Sequence, residues 1–283
     1  MAKLVFLNGQ FVPEDQAVVS VFDRGFLYGD GLFEVIPVFN GKPFRWEQHL
    51  ERFSHGAGLL KIKPPFASVE LRNFTDQLIG KNQMPDALLR FSLSRGVGLR
   101  GYSPKGADAP TFVMTLHPLP GTSAQEPPQF KLVTSSLRLP VGEPLAQFKN
   151  ANKLPQILAR AEADDAGADE ALLLNTDGNV VEGTTSNLFW IEGETVCTAP
   201  LASGILPGVT RSVVLEICGS LGLKTDERNI TSPQLAQTDG VFISLSSWGV
   251  VAAQSLDGGT LKSSQLVGKI RRAYWELVQA ETA

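Results

Sequence analysis

The chain has 283 residues, 43% of them hydrophobic and 19% charged, with a formal net charge of −4. That length exceeds one typical core and favours two domains, while the composition is that of a soluble globular protein. The acidic balance excludes a basic field for nucleic acid or an anionic membrane, and two cysteines, Cys197 and Cys218, exclude a disulfide framework or a thiolate metal cluster.

The segment Met1–Gly9 lacks the layout of a signal peptide, and no apolar run approaches membrane-spanning length, so a cytoplasmic setting is expected. Leu4–Leu7, the Asn8-Gly9 pair and Phe11-Val12 read as a hairpin. Gly31–Phe39 alternates, with Phe33 and Val35 on one face and Glu34 and Ile36 on the other, before Asn40-Gly41 turns the chain back. Pro37 marks this run as an edge strand or the site of a bulge. Trp46, Leu50, Phe53, Ala57 and Leu60 then recur at helical spacing, with Arg52 beside the apolar stripe. A guanidinium there can grip a phosphate dianion or pair with Glu47 or Glu51. Val69–Ile79 reads as a second helix, and Ala87–Leu93 and Thr111–Leu116 as strands.

Between those strands, Gly96–Gly101 satisfies G-x-G-x-x-G, the pattern of a dinucleotide-binding turn. The following Tyr102–Pro110 segment, with prolines at 104 and 110, cannot start the helix whose dipole such a site needs. Arg100 is instead a candidate clamp for a substrate carboxylate, with Tyr102 beside it. Residues 118–128 combine prolines with small polar residues and no apolar period; they are the expected linker between domains at 1–117 and 129–283. Beyond it, Phe130–Ser135 reads as a strand and Leu154–Asp165 as a helix. Ala171–Asn175 and Asn179–Glu182 flank a Thr176-Asp177-Gly178 turn. Thr210–Leu221 and Gln265–Ala280 read as helices, and Val241–Leu245 as a short buried strand.

Four pieces carry chemistry. Lys149 follows an extended segment and precedes a helix, so its amine can project from a strand end as an imine-forming nucleophile. Lys153, one helical turn on, is the rival amine. Glu182 ends an apolar run and is followed by Gly183, where backbone can pass close to a flat ring; a carboxylate there suits a pyridinium partner. Gly204–Arg211 is a glycine/proline loop entering a helix, whose Val209 and Thr210 amides face any bound phosphate. Ser246 and Ser247 follow a buried strand and offer hydroxyls and amides at its terminus. Amine, carboxylate and phosphate cup together are the parts that pyridoxal-phosphate chemistry requires.

In this order the pieces resemble the class IV (fold type IV) pyridoxal-phosphate enzymes: branched-chain aminotransferases, D-amino-acid aminotransferases and aminodeoxychorismate lyases. The resemblance runs from Asp23–Glu34 through His49–Arg52 to Lys149, Glu182, Gly208–Arg211 and Ser246-Ser247. It implies two α/β domains (an α+β, D-amino-acid-aminotransferase-like fold) with pyridoxal 5'-phosphate in the interdomain cleft, usually as a homodimer. By resemblance Lys149 is the Schiff-base lysine and Glu182 the pyridine-nitrogen partner. Arg52, Leu206, Val209, Thr210, Ser246 and Ser247 fall on cofactor-binding positions, with Ser247 also near the substrate. Phe33 and Val35 would line the side-chain pocket. Pro37 stands where branched-chain aminotransferases usually carry an arginine, and Lys153 where they carry a tyrosine. Arg95–Ser103 resembles loops of the lyases and places Arg100 where D-amino-acid aminotransferases hold the substrate carboxylate. The expected activity is transamination between a small amino acid or amine and a 2-oxo acid. Pyruvate elimination from aminodeoxychorismate is the alternative, and a nicotinamide oxidoreductase or a binding protein without turnover are the rivals from other classes.

Overall fold

The structure, a computed structural model, describes residues 3–120 and 128–283, and its contacts divide the chain into two compact units. The first comprises Met1–Leu119, Phe148–Asn152 and Glu281–Ala283; the second comprises Pro120–Gln147 and Lys153–Ala280. Within the expected linker at 118–128, residues 121–127 lie outside the described residues.

The first unit holds strands β1 (Leu4–Leu7), β2 (Gln10–Pro13), β3 (Gly31–Phe39), β4 (Lys42–Pro43), β5 (Ala87–Ser94) and β6 (Thr111–Pro118). They form an antiparallel sheet in the order β2-β1-β6-β5-β3-β4. Its helices are α1 (Arg24–Tyr28), α2 (Trp46–Leu60) and α3 (Ser68–Asn82). Both Asn-Gly pairs make tight hairpin turns with positive φ at each residue, as a two-residue connection of right-twisted strands demands. Pro37 sits in β3 opposite Leu88 of β5, and its carbonyl accepts from the Phe44 amide at 2.9 Å. In a strand a residue's carbonyl and amide point the same way, so the missing N–H faces the β4 side and costs no ladder bond to β5.

One sheet face is packed by α2 and α3. Leu32, Ile36, Leu89, Phe91, Phe112 and Met114 meet Trp46, Leu50, Phe53 and Ala57 in a core of edge-on aromatic contacts, such as Phe53–Phe91 at 6.0 Å. Each fully buried phenylalanine contributes about 2–3 kcal/mol of transfer free energy. Phe148 joins this core at 1% exposure. A Cβ on Gly56 of α2 would fall 2.7 Å from that of Phe148, so only glycine admits the segment there. The segment then pairs with β3: the Phe33 amide donates to the Lys149 carbonyl at 2.8 Å and the Ala151 amide to the Gly31 carbonyl at 2.9 Å.

The second unit contains β7 (Gln129–Leu139), β8 (Glu170–Asn175), β9 (Val180–Gly183), β10 (Asn187–Glu192), β11 (Thr195–Thr198), β12 (Lys224–Glu227), β13 (Gly240–Leu245), β14 (Gly249–Leu256) and β15 (Gly259–Thr260). Its helices are α4 (Leu154–Asp165), α5 (Val209–Ser220), α6 (Ser232–Leu235) and α7 (Gln265–Thr282). The strands run β12-β11-β10-β13-β14-β7-β8-β9, with β15 on β14, and β9 pairs again with β10. That second pairing closes six strands into a barrel and removes their edges. Leu132, Leu172, Leu174, Val180, Leu188, Trp190, Ile243 and Val251 share its interior cluster. Outside, Ala159 and Ala163 of α4 pack on Ala171 and Leu173. Strands β8 and β13 are therefore buried on both faces, which explains their unbroken apolar runs. No helix among the described residues is long and apolar enough to cross a membrane.

Candidate functional site

The first unit places Lys149 on the edge of β3. Its ammonium nitrogen lies 5.3 Å from the centre of the Phe33 ring. The guanidinium of Arg90, on β5 opposite Val35, lies 4.0 Å from the same ring. Each cation lies within cation–π range of the Phe33 ring. Phe33 and Val35 are half-buried on the face turned away from the core, while Glu34 and Ile36 are buried, as the alternation predicts.

Arg52 does not pair with Glu47 or Glu51 among its described bonds. It reaches across to β3, where Nε donates to Glu34 Oε2 at 3.0 Å and Nη2 to Glu34 Oε1 at 2.5 Å. His49, one turn earlier on α2, lies 3.1 Å from Glu34 Oε1 through Nδ1. All three are buried, at 1–8% exposure. Burial alone would raise the Glu34 carboxyl, but the Arg52 guanidinium and the His49 ring hold it far below the usual carboxylate range. Burial also keeps His49 below its ordinary value, with the Arg52 and Lys149 charges adding to that effect and Glu34 opposing it. The ring is therefore neutral at neutral pH beside two cations. Glu34, His49 and Arg90 were absent from the sequence-derived set. The available signals were a glutamate on the apolar face of β3, a histidine i,i+3 from Arg52, and an arginine inside an alternating strand.

Arg100 and Tyr102 sit in an exposed loop between β5 and β6. The carbonyls of Leu99, Gly101 and Tyr102 in this loop accept from Arg24. A phosphate-binding glycine turn points amides inwards, and this one points oxygens inwards, so the dinucleotide reading fails on polarity as well as on the missing helix.

In the second unit Glu182 is 9% exposed at the end of β9 and pairs with Asn187 of β10, which in turn pairs with Ser244 of β13. Directly opposed residues share a sheet face, so these three form a polar row on the barrel exterior. Glu182 Oε2 accepts from the Leu206 amide at 2.8 Å, and Asn187 Nδ2 donates to the Leu206 carbonyl at 2.9 Å. Both ends of one peptide residue are thus clamped over the row. Gly208 follows, in a place where any Cβ would collide with Asn187 Oδ1. It begins α5 with no side-chain cap, so the first-turn amides of Val209 and Thr210 stand ready for an outside acceptor. Ser244 Oγ is buried without a hydrogen-bond partner, and Ser246 and Ser247 lie half-buried just beyond it.

The Gly183–Ser186 turn that joins Glu182 to Asn187 is held by Glu170 of β8. This carboxylate, 2% exposed, accepts from the amides of Thr184 at 3.0 Å and Thr185 at 3.3 Å, from Thr185 Oγ1 at 3.0 Å, from Ser186 Oγ at 3.2 Å and from the Thr184 hydroxyl. The rival amine Lys153 starts α4 in this unit; burial pushes its ammonium down, while the Glu182 charge pulls it back up. Burial also raises both thiols, Cys218 to about 11, so neither cysteine is an activated nucleophile. Among the described residues no group of His, Cys, Asp or Glu could hold a metal ion.

The structure thus brings Lys149 to Phe33, and Glu182 to Leu206 next to the open turn of α5. A buried carboxylate, a helix start lacking a cap and an orphaned serine hydroxyl suit a ligand with one cationic ring nitrogen and one phosphate, and pyridoxal phosphate has both. Three comparisons agree. Residues 31–256 match the family model of the amino-transferase class IV proteins. The chain is 29% identical to a D-alanine aminotransferase of Bacillus licheniformis over 99% of this chain and 98% of that protein. It is 31% identical to an aminodeoxychorismate lyase of Bacillus subtilis over 78% and 75%, respectively. A crystal structure of a T.th. branched-chain amino acid aminotransferase with pyridoxamine 5'-phosphate superposes with a TM-score of 0.91 at 28% identity, covering 98% of this chain and 94% of that one.

Proposed function

Because the chain belongs to the class IV aminotransferases, pyridoxal-phosphate-dependent transaminases of fold type IV, we propose that it moves an amino group between a small amino acid or amine and a 2-oxo acid. Bound pyridoxal phosphate supplies an aldehyde and an electron sink. In this reading Lys149 would be the catalytic residue: it would anchor the cofactor, and its amine would serve as the base for the proton on the substrate Cα. Glu182 keeps the ring nitrogen protonated. Val209 and Thr210 bind the phosphate through amides at the positive end of α5, and Arg52, Ser246 and Ser247 complete the cup. Leu206 presents its backbone to the cofactor. Phe33 and Val35 line the substrate side-chain pocket, Arg100 with Tyr102 orients a substrate carboxylate, and Ser247 borders both ligands.

The observation that carries this reading is the Leu206–Thr210 stretch, which joins a buried carboxylate to an uncapped helix start within a few residues. That juxtaposition suits a small ring bearing a cationic nitrogen at one side and a phosphate at the other. A second copy of the chain is the proposed partner, supported by the exposed Val18, Val21, Phe22, Phe26 and Leu99 of the first unit.

Borohydride reduction of the holoenzyme followed by peptide mapping is expected to place the cofactor on the peptide bearing Lys149; label on Lys153 would overturn the assignment. Lys149→Ala is expected to lower turnover by about 10³-fold or more, the scale of a lost positioned base and anchor. A panel of D- and L-amino acids, followed by loss of the visible cofactor band, identifies the reacting hand. The second reading, aminodeoxychorismate lyase, is favoured by the Arg95–Ser103 loop and by the similarity to a lyase over most of the chain. Pyruvate released from aminodeoxychorismate with no 2-oxo acid present would replace transfer by elimination.

A further inference from the structure

Arg24, at 3% exposure, is among the most buried cations of the first unit, and the chemistry above does not use it. It opens α1 and spends its guanidinium on the loop after β5. Nη1 donates to the carbonyls of Gly101 at 2.8 Å and Leu99 at 3.4 Å, and Nη2 to that of Tyr102 at 3.2 Å. Nε donates to Asp30 Oδ2 at 2.8 Å, and its own amide donates to the Gly96 carbonyl at 2.9 Å. The guanidinium carbon lies 5.0 Å from the centre of the Tyr28 ring, whose hydroxyl accepts from the Gly101 amide at 3.0 Å. That ring meets Tyr102 edge-on at 5.7 Å. Asp30 is shared with Arg95, which holds the Leu60 carbonyl at the end of α2 at 2.8 Å. Gly98 lets the loop close over Arg24, since a Cβ there would fall 2.9 Å from Arg24 Cδ.

The result is a loop whose backbone oxygens converge on a buried cation while the side chains of Leu99, Arg100 and Tyr102 are exposed to solvent, Tyr102 at 88%. An arginine on an exposed loop ordinarily loses backbone and rotamer freedom when it grips a carboxylate, and that loss opposes binding. Fixing the backbone on both sides of Arg100 beforehand removes the loop's share of that cost.

We propose that Arg24 is a positioning residue for substrate recognition: its grip on the Leu99, Gly101 and Tyr102 carbonyls presets Arg100 and Tyr102 to clamp the carboxylate of an amino acid or oxo acid. It acts through the loop and does not touch the substrate. The inference rests on the reading of Arg100 as that clamp, and the G-x-G-x-x-G spacing then serves to wrap a guanidinium.

The test uses the holoenzyme with the fastest-reacting amino acid of the panel and the amine that lacks its carboxylate. Arg100→Ala is the reference and is expected to raise the amino-acid KM by about 10–100-fold, the loss of a charge-assisted hydrogen bond. Arg24→Lys keeps the charge but cannot reach three carbonyls and Asp30 together. It is expected to raise the amino-acid KM by about 5–20-fold with kcat little changed, on the order of one lost positioning interaction. The ratio of amino-acid to amine kcat/KM falls with it, and the double variant is no worse than Arg100→Ala alone. Equal losses on amino acid and amine, an unchanged KM, or additive effects in the double variant would each reduce Arg24 to a structural residue. No KM change in Arg100→Ala would instead remove the clamp reading itself. Should Arg24→Lys fail to fold, Tyr28→Phe deletes only the hydroxyl beneath Gly101. A smaller rise in amino-acid KM with the amine spared then supports the proposal, and no rise overturns it.

Discussion

Glu34 of the first unit and Glu170 of the second are buried to the same degree, at 1% and 2% exposure, yet their surroundings differ in kind. Glu34 meets a guanidinium and a histidine ring from α2, joining helix to sheet through an ion pair. Glu170 meets amides and hydroxyls of one turn, so its charge is spread over dipoles. A guanidinium stripped of its partner stays charged in a buried place, whereas a hydroxyl can rotate to another acceptor. The contrast extends to the candidate sites. The first unit gathers Lys149, Arg90 and Arg52 around Phe33 and Glu34, and the second presents one buried carboxylate, Glu182, beside an uncapped helix start and the Ser244 hydroxyl.

Breaking each carboxylate measures that difference. Glu34→Ala is expected to destabilise the chain by about 3–5 kcal/mol, because it removes the carboxylate that offsets the buried Arg52 charge through two hydrogen bonds. Glu170→Gln should cost about 1.5–3 kcal/mol, since an amide oxygen still accepts some of the turn's donors. Urea denaturation with a probe in each unit reads both, and the ranking fails if Glu170→Gln proves the more damaging. A smaller, graded effect comes from pH. His49 is held below its usual 6.5 and Glu34 below its usual 4.5, so on acidification the unfolded chain takes up both protons before the folded one does. Their contribution is fully present above pH 6.5, begins to fall as pH drops through 6.5 and falls faster below 4.5. Urea midpoints measured from about pH 8 to about pH 4 should decline first in the first unit, and His49→Gln should flatten the upper part of that slope; a flat profile would mean the charges around Glu34 are not coupled to folding.

Periodic elements were the most legible in the sequence. The helix through Trp46, Leu50, Phe53 and Ala57, the alternation of Phe33–Ile36 and both Asn-Gly hairpins match α2, β3 and their turns. The strands β10, β11, β12 and β14 were not anticipated. Asn187–Ile191 is buried on both faces of the barrel and has no alternation to find, and Lys224–Glu227 is an exposed edge with no apolar residue at all. Within the site, Lys149 and Glu182 stood out by their residue type at segment ends. Glu34 and His49 did not, because a buried ion pair is visible only when the partner's position is known.

Hydrophobic spacing and turn chemistry, both local properties, were enough to set the five longer helices, both Asn-Gly hairpins and the loop entering α5, and residue order was enough to suggest pyridoxal-phosphate chemistry. Tertiary structure alone decided that Arg52 faces Glu34, that Arg24 turns a glycine loop into a cage of carbonyls, and that β9 returns to β10 to close a barrel. Those outcomes depend on which distant groups must satisfy one another once water is excluded, and spacing along the chain does not encode that.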